Sequence, residues 1–234
     1  MTERATTELE SIVERYERRK HRDTTASDIL SISAYLAYQE RNRMLVRWIR
    51  EYGLAPVESR KLMEVGCGTG NNLLDFLRLG FRPENMLGND LLADRVRLAR
   101  RMLPQGLAVL EGNALELDIP KESFDIVFQA TVFTSILDPQ LQQALADRMW
   151  TWLRPGGGIL WYDFVYDNPR NSDVKGVPLS RVRELFPDGR VSYRRVTLAP
   201  PISRLVTRIS PTLYSVFNMI PPLRTHVLCW IEKR

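Results

Sequence analysis

The chain has 234 residues, of which 44% are apolar and 26% charged; this composition is typical of a folded globular protein and excludes a disordered or fibrous one. Its net charge of +5 is spread along the chain without a block of like charges, so we expect no nucleic-acid partner. No run of about 18 apolar residues occurs, and we expect no membrane span. Two cysteines and a polar N-terminus predict a reducing, cytoplasmic environment and no signal peptide.

Two helices are predicted before the first strand. The first, residues 3–22, and the second, residues 31–52, each carry a stripe of apolar or aromatic side chains at helical spacing. The stripe of the first helix consists of Leu9, Ile12, Val13 and Tyr16. The stripe of the second consists of Tyr35, Tyr38, Leu45, Ile49 and Tyr52.

Strands and helices alternate in the middle of the chain, which predicts a parallel sheet with helices on both faces. The predicted strands span residues 61–65, 85–89, 107–111, 124–130 and 158–164, and the helices between them span residues 70–79, 92–103 and 139–153. A short helix at residues 178–186 and strands at residues 191–198 and 225–232 complete the predicted sheet.

The segment 199–224, between the last two predicted strands, is predicted to be a helical insertion. Its two apolar stripes consist of Ile202, Leu205, Val206 and Ile209 and, after Ser210-Pro211, of Leu213, Val216, Phe217 and Ile220. Three interpretations stay open: a hairpin packed on the sheet edge or in a homodimer contact, one wall of a substrate pocket, or a basic amphipathic surface at residues 199–222 that meets a membrane.

A glycine-rich turn follows the first predicted strand. Gly66, Gly68 and Gly70 permit positive φ angles and a close approach of a ligand to the backbone. In open α/β sheets such a turn, at the carboxyl end of a parallel strand, is where ligands bind. The spacing is G-x-G-x-G and residue 71 is asparagine, so the third glycine of the dinucleotide-binding fingerprint is absent.

A carboxylate lies at the end of the second predicted strand, about 20 residues beyond that turn. This residue, Asp90, can accept hydrogen bonds from both hydroxyls of a ribose. Alone, Asp90 is equally explained as an N-cap of the helix at residues 92–103. Together with the glycine turn it indicates a ligand that contains a nucleoside.

These motifs, with three others in the same order, resemble those of class I S-adenosylmethionine-dependent methyltransferases. The matching stretches are residues 64–70, 88–90, 111–114, 124–128 and 153–158, and the resemblance covers roughly residues 55–165. It implies an α/β fold with a Rossmann-like seven-stranded sheet whose last strand is antiparallel. It also implies S-adenosylmethionine as cofactor, and a domain at residues 55–234 preceded by a helical unit at residues 1–54. That unit is either a lid over the cleft, whose residues 1–30 would order when ligand binds, or an appendage on the sheet edge.

The resemblance assigns the cofactor-binding residues. Glu64 would meet the methionine ammonium, Asp90 the ribose, and Leu91 the adenine ring. The cofactor backbone would lie along Gly66, Cys67, Gly68 and Gly70, with Gln129 near the methionine end. Asn113 and Ala114 would meet the adenine, although the family usually has aspartate where this chain has Asn113.

The acceptor would lie at the carboxyl ends of the fourth and fifth strands, because the sheet places them beside the transferable methyl group. Positioning supplies most of the catalysis, and a hydroxyl acceptor also needs a base. We expect Asp163 or His226 as that base; the alternatives are a structural carboxylate and a packed strand histidine. His21 is expected in solvent, and no metal site is predicted. The expected acceptor-binding residues are Tyr35, Tyr38, Thr131, Phe133, Tyr166 and Asn168.

The whole pattern is loosely similar to methyltransferases of bacterial polysaccharide biosynthesis. We therefore expect a small-molecule or glycan acceptor, with a sugar hydroxyl as the first candidate. A lipid or quinone-type acceptor is the second candidate, because the apolar segment 199–222 would suit it. A cofactor-binding partner protein without catalytic activity is the third.

Overall fold

A computed structural model describes residues 3–20, 29–169 and 171–234. The expectation for His21 lies outside these residues, and so do residues 1–2 and 21–28 of the segment 1–30 that is expected to order when ligand binds. A seven-stranded sheet forms the centre of the molecule, in the order β3-β2-β1-β4-β5-β7-β6. Its strands are β1 Leu62–Val65, β2 Met86–Asp90, β3 Ala108–Glu111, β4 Phe124–Ala130, β5 Leu153–Phe164, β6 Arg190–Leu198 and β7 Arg224–Glu232.

The first five strands pair in parallel, and β7 runs antiparallel to both β5 and β6. This confirms the predicted fold class and its antiparallel last strand. The register aligns Val65 with Asn89 of β2 and with Gln129 of β4, so the carboxyl ends of these strands meet at one edge. β5 begins five residues before its predicted start, because Leu153 already pairs with Phe124 of β4, ahead of a register shift that precedes the pairing of Gly158 with Ile126.

Helices cover both faces of the sheet. They are α1 Glu3–Lys20, α2 Ile32–Glu51, α3 Asn71–Arg78, α4 Ala93–Met102, α5 Pro139–Trp152, α6 Leu179–Leu185, α7 Pro200–Ile209 and α8 Pro211–Asn218. Side chains of α1, α5 and α6 share one core with residues such as Trp161 of β5, and those of α2, α3 and α4 share the other with Tyr162. Adjacent strand residues thus enter opposite cores, as the pleat requires. None of the described helices is both long and apolar enough to cross a membrane.

The insertion between β6 and β7 is a hairpin of α7 and α8. Ser210 ends α7 and caps α8 by accepting a hydrogen bond from the Thr212 amide. Val206 and Tyr214 are buried against Leu198 and against side chains of α2. The two predicted stripes are only partly buried: Leu205, Ile209, Val216 and Ile220 are exposed, because only the inner edge of each helix meets the body of the molecule.

Candidate active-site cleft

A cleft of about 680 Å³ opens at the edge where β1, β2 and β4 end. Its floor is the glycine turn after β1, together with the ends of β2 and β4. Residues of α1 and α2 form further walls, so both N-terminal helices contribute side chains to the cleft.

The glycine turn has the backbone that its sequence predicts. Gly66 and Gly68 have φ angles of +66° and +56°, in the left-handed region that favours glycine. A Cβ on Gly66 would lie 2.4 Å from Val132 Cγ2, whereas one on Gly68 would meet no atom within 4 Å. Gly66 is therefore needed for packing as well as for conformation, and Gly68 leaves open space beside the backbone. Gly70 is the N-cap of α3 and does not line the cleft.

Asp90 joins the glycine turn to the start of α4. One carboxylate oxygen accepts from the Gly68 amide at 2.8 Å, and the other accepts from the Leu92 amide at 2.9 Å. Asp90 also lines the cleft, and each oxygen keeps a second lone pair for a ligand. The N-cap alternative is wrong, because the N-cap of α4 is Leu92 and no side chain caps this helix; Asp90 instead holds the turn before it.

Glu64 lies completely buried behind the cleft surface. Its Oε1 accepts from Asn72 Nδ2 at 2.6 Å, but its Oε2 has no hydrogen-bond partner among the described residues. Burial raises the pKa of Glu64 to about 8, against the lowering effects of the Asn72 hydrogen bond and the Arg41 charge. An unsatisfied buried oxygen is costly, and an ammonium group brought to it would remove that cost. This orphaned oxygen fits the methionine end of S-adenosylmethionine.

Most of the other predicted cofactor residues lie at the cleft. Cys67, Leu91, Asn113 and Ala114 line it. The Asn113 side-chain oxygen accepts from the Leu115 amide at 3.1 Å, so it also caps a short helical turn. Gln129 does not line the cleft: its side chain is fully buried and accepts from the Val132 amide while donating to Asp163. These cofactor assignments stay predictions.

Neither of the two candidate bases lines the cleft. Asp163 is fully buried, and its carboxylate accepts from Thr134 Oγ1 at 2.7 Å and from Gln129 Nε2 at 3.3 Å. Burial raises its pKa to about 7, although these hydrogen bonds oppose the shift. His226 stacks on Tyr162 at 5.1 Å, and burial, aided by the Arg41 charge, lowers its pKa to about 4. The base role of either residue stays a prediction.

The predicted acceptor residues divide into two groups. Tyr38 and Thr131 line the cleft. The other four do not line it. Phe133 is buried against Trp161, Tyr35 and Asn168 are exposed outside the cleft, and Tyr166 accepts a hydrogen bond from Arg195 on an outer surface. The difference arises because strand order places residues at the sheet edge but does not fix which way each side chain points.

The structure adds a charged wall to the cleft that the sequence did not predict. Arg41, Asn72, Asp75 and Arg78 line the cleft beside Tyr38. Asp75 accepts hydrogen bonds from the Tyr38 hydroxyl and from Arg41. Arg41 is three residues after Tyr38 on α2, so the two side chains lie on the same helical face. This spacing could have predicted Arg41 as a cleft residue once Tyr38 was placed there.

The opposite end of the cleft is largely apolar. Its aliphatic side chains come from α1, from the loop after β4 and from α5: Leu9, Ile12, Ile136, Leu141 and Leu145. Tyr16 closes this end by donating its hydroxyl to Ser135 Oγ at 3.2 Å, with the Arg95 guanidinium 4.3 Å from its ring centroid. The apolar stripe of α1 was visible in the sequence, but its contact with α5 depends on tertiary packing.

Comparison with known proteins agrees with this geometry. Residues 62–157 match a family model described as a methyltransferase domain. The chain is 36% identical over 163 residues to the fatty-acid O-methyltransferase of Mycolicibacterium smegmatis, a match that covers 68% of this chain and 58% of the relative. It is 31% identical over 133 residues to a phthiotriol/phenolphthiotriol dimycocerosates methyltransferase of Mycobacterium ulcerans, which covers 55% of this chain and 47% of the relative. The chain thus spans about half the length of these curated relatives.

Solved structures show the same fold. The magnesium protoporphyrin IX methyltransferase of Synechocystis, determined with bound S-adenosylhomocysteine, superposes with a TM-score of 0.62 at 11% identity and 94% coverage of both chains. A Pyrococcus horikoshii protein superposes with a TM-score of 0.59 at 14% identity, covering 91% of this chain and 96% of that one.

Proposed function

We propose that this chain, which carries a class I S-adenosylmethionine-dependent methyltransferase domain, methylates an oxygen atom of an acceptor with an apolar chain, and that this oxygen belongs to a carboxylate. S-Adenosylmethionine is the cofactor of this domain and supplies an activated methyl group. The observation that carries the proposal is a cleft with an apolar end, an excess of arginine, and no unengaged base in its described lining.

The apolar end of the cleft favours an aliphatic acceptor over a sugar. Burying apolar surface contributes about 25 cal/mol per Å². Leu9 is partly exposed and offers such surface, next to the buried side chains of Ile12 and Leu141 in the same lining, and none of the three offers a partner to a hydroxyl group. A sugar placed there would leave its hydroxyls unpaired, and each unpaired hydroxyl would cost free energy.

The charges of the cleft favour an anionic acceptor. The guanidinium groups of Arg41, Arg78 and Arg95 line it, against the two carboxylates of Asp75 and Asp90. Asp90 accepts two backbone amide hydrogen bonds, and Asp75 accepts from Tyr38 and neighbouring basic groups. An excess of positive charge inside a cleft attracts an anion and raises its local concentration.

The lack of an unengaged base is compatible with a carboxylate acceptor. No histidine lines the part of the cleft that the structure describes. A carboxylic acid with a pKa near about 4 is already ionised at neutral pH, so its oxygen needs no base. In-line attack by that oxygen forms the C–O bond while the C–S bond breaks and its electron pair stays on sulfur. The products are a methyl ester and the demethylated cofactor, and no proton changes place.

One relative supports this class of acceptor, because its name specifies a fatty acid, which is a carboxylate on an apolar chain. The name of another specifies phthiotriol and phenolphthiotriol dimycocerosates and no carboxylate. The lipid-type acceptor was the second candidate from the sequence. A sugar hydroxyl, and the association with polysaccharide biosynthesis, stay predictions without support from these two relatives.

A product analysis tests the proposal. The purified chain is incubated with methyl-labelled S-adenosylmethionine and one class of acceptor at a time: fatty acids, fatty alcohols, quinols or sugar nucleotides. We expect label that extracts into organic solvent and is released by mild alkali, as a methyl ester is. Alkali-stable label, or label in the sugar fraction, would contradict the carboxylate. Cofactor binding without transfer to any acceptor would favour the non-catalytic partner.

A further inference from the structure

The α7–α8 hairpin presents an apolar outer face. The exposed fractions are 63% for Leu205 and 75% for Ile209 on α7, 52% for Val216 on α8, and 75% for Met219 and 48% for Ile220 just after α8. The spacing of four residues places Leu205 and Ile209 on one side of α7. The inner sides of both helices pack against a common core, so these side chains face away from the body of the protein.

The apolar surface continues onto the start of α2. Ile32 is 51% exposed and Tyr35 48% exposed, while Leu36 and Ala37 of the same helix pack against the hairpin. Within the described part of the chain, nine of the fifteen exposed large hydrophobic side chains lie in the segments 29–35 and 205–220. Scattered exposed apolar residues are ordinary, but a concentration of them marks an interaction surface.

A basic groove of about 450 Å³ begins where the hairpin ends. Pro221, just after α8, forms one wall, and the arginines that line the groove are Arg47, Arg194, Arg195 and Arg224. Arg224 Nε donates to the Asn218 carbonyl at 2.6 Å and so fixes the groove to the end of α8.

The nearby carboxylates leave this groove with net positive charge. Glu51 pairs with both Arg47 and Arg194. The buried Glu40 accepts from the Thr197 amide and from the Tyr214 hydroxyl, so its charge is enclosed by the protein. The hairpin segment 199–224 contains three arginines and no aspartate or glutamate.

We propose that the outer face of the α7–α8 hairpin, with the start of α2, docks on an anionic phospholipid bilayer. The apolar side chains enter the interfacial region, and the arginines of the groove contact lipid phosphates, as basic amphipathic surfaces do. A second copy of this chain would bring its own net charge of +5 to the same face, whereas an anionic bilayer has the complementary charge.

The docked face lies beside the cleft. Tyr35 stacks on Tyr38 with ring centroids 6.2 Å apart, and Tyr38 lines the cleft. An acceptor that resides in the bilayer would therefore leave the bilayer near the rim of the cleft. The docking itself does not depend on which acceptor is methylated, so its test requires no activity measurement.

Co-sedimentation with large vesicles tests the docking. One set of vesicles is phosphatidylcholine alone, and the other contains one third phosphatidylglycerol. We expect the wild-type chain to sediment with the anionic vesicles, to sediment weakly with the neutral ones, and to be released by salt because the contact is partly electrostatic. Failure of folded wild-type chain to bind the anionic vesicles would overturn the proposal.

Matched variants locate the surface. Ile209→Glu with Met219→Glu should lower the bound fraction by about tenfold or more, because two apolar side chains no longer transfer from water. The control is Leu98→Glu with Met102→Glu on α4, where the exposed fractions are 47% and 50%; this pair should bind like wild type. Equal losses of vesicle binding in both variant pairs would overturn the location. It would also be overturned if the wild-type chain were a dimer and the hairpin variant alone became a monomer while still binding vesicles.

Cofactor affinity separates these outcomes from misfolding. Both variant pairs should bind S-adenosylhomocysteine as the wild type does, because none of the four positions lines the cleft. Arg47→Gln with Arg194→Gln should reduce the preference for anionic over neutral vesicles. An unchanged preference would contradict the assigned role of the groove.

Discussion

We predict that Glu64 makes cofactor binding depend on pH. In the described structure its buried carboxyl has a pKa of about 8, so it holds a proton at neutral pH. An ammonium group beside its orphaned Oε2 favours the ionised form, and binding should release this proton. Affinity should therefore rise as pH increases between about 6 and 7.5, by less than about tenfold per unit. Calorimetry in two buffers with different ionisation enthalpies measures the release directly.

Glu64→Gln is the control for this linkage. It should bind the cofactor more weakly, and its binding heat should not depend on the buffer. A buffer-independent heat for the wild type would show that Glu64 is already ionised or does not meet the ammonium.

Asp90 is predicted to hold the ribose as well as the glycine turn. Asp90→Ala should weaken cofactor binding by about 1.5–3 kcal/mol, the scale of lost charge-assisted hydrogen bonds. The variant also loses the bonds to the Gly68 and Leu92 amides, so a thermal melt must accompany the titration. Unchanged affinity in a folded variant would reject the ribose contact.

A substitution at Asp163 tests whether this residue is a base or a positioning residue. Its oxygens bind Thr134 and Gln129, and Gln129 in turn binds the amide of Val132 at the cleft. We expect Asp163→Asn to lower the single-turnover rate by less than about tenfold, because the general-base contribution of about 10²–10⁴ is not lost. A loss in that larger range, with cofactor affinity unchanged, would restore the base role.

Among individual residues, the sequence predicted those whose roles depend on nearby parts of the chain. The turn at residues 66–70 and Asp90 were predictable because strand, turn and strand end have fixed relative positions in the chain. Arg41 and Leu141 were not, because α2 and α5 bring them to the cleft from distant parts of the sequence. Phe133 was misplaced because its ring turns into the core beside Trp161.

Among the elements, α1 offers a matched pair of substitutions that tests the apolar end of the cleft. Leu9 lines the cleft, whereas Val13, one turn further on, is 36% exposed and does not line it. Leu9→Asp should raise the KM of the acceptor with little change in cofactor affinity, because it places a charge where an aliphatic chain would lie. Val13→Asp should leave both values near wild type. Equal effects of the two variants would show that α1 only packs against the body.

The elements themselves were well predicted where periodicity is strong. The bounds of α3, α4 and α5 agree with the predicted helices within one residue at each end. The hairpin of α7 and α8 was also predicted, but not which of its apolar residues are buried. A helical stripe shows that one side is apolar, and only tertiary contacts with α2 and β6 decide how much of it is covered.

At the scale of the whole molecule, a seven-stranded sheet carries the cleft on one edge. The N-terminal helices contribute walls to that cleft, and the α7–α8 hairpin lies outside it. Fold and cofactor were predictable because both depend on motifs at the carboxyl ends of the strands. The acceptor was not, because the cleft walls proposed to bind it come from side chains of separate elements that share no motif.

The central claim is that the acceptor oxygen is a carboxylate on an apolar chain. Its most direct test compares kcat/KM for a fatty acid and for the primary alcohol of the same chain length, with the cofactor saturating. We expect the acid to be favoured by about 10³-fold or more, since the alcohol needs a base that the described cleft lining does not offer. An alcohol methylated as fast as the acid, or a sugar hydroxyl methylated faster than either, would contradict it.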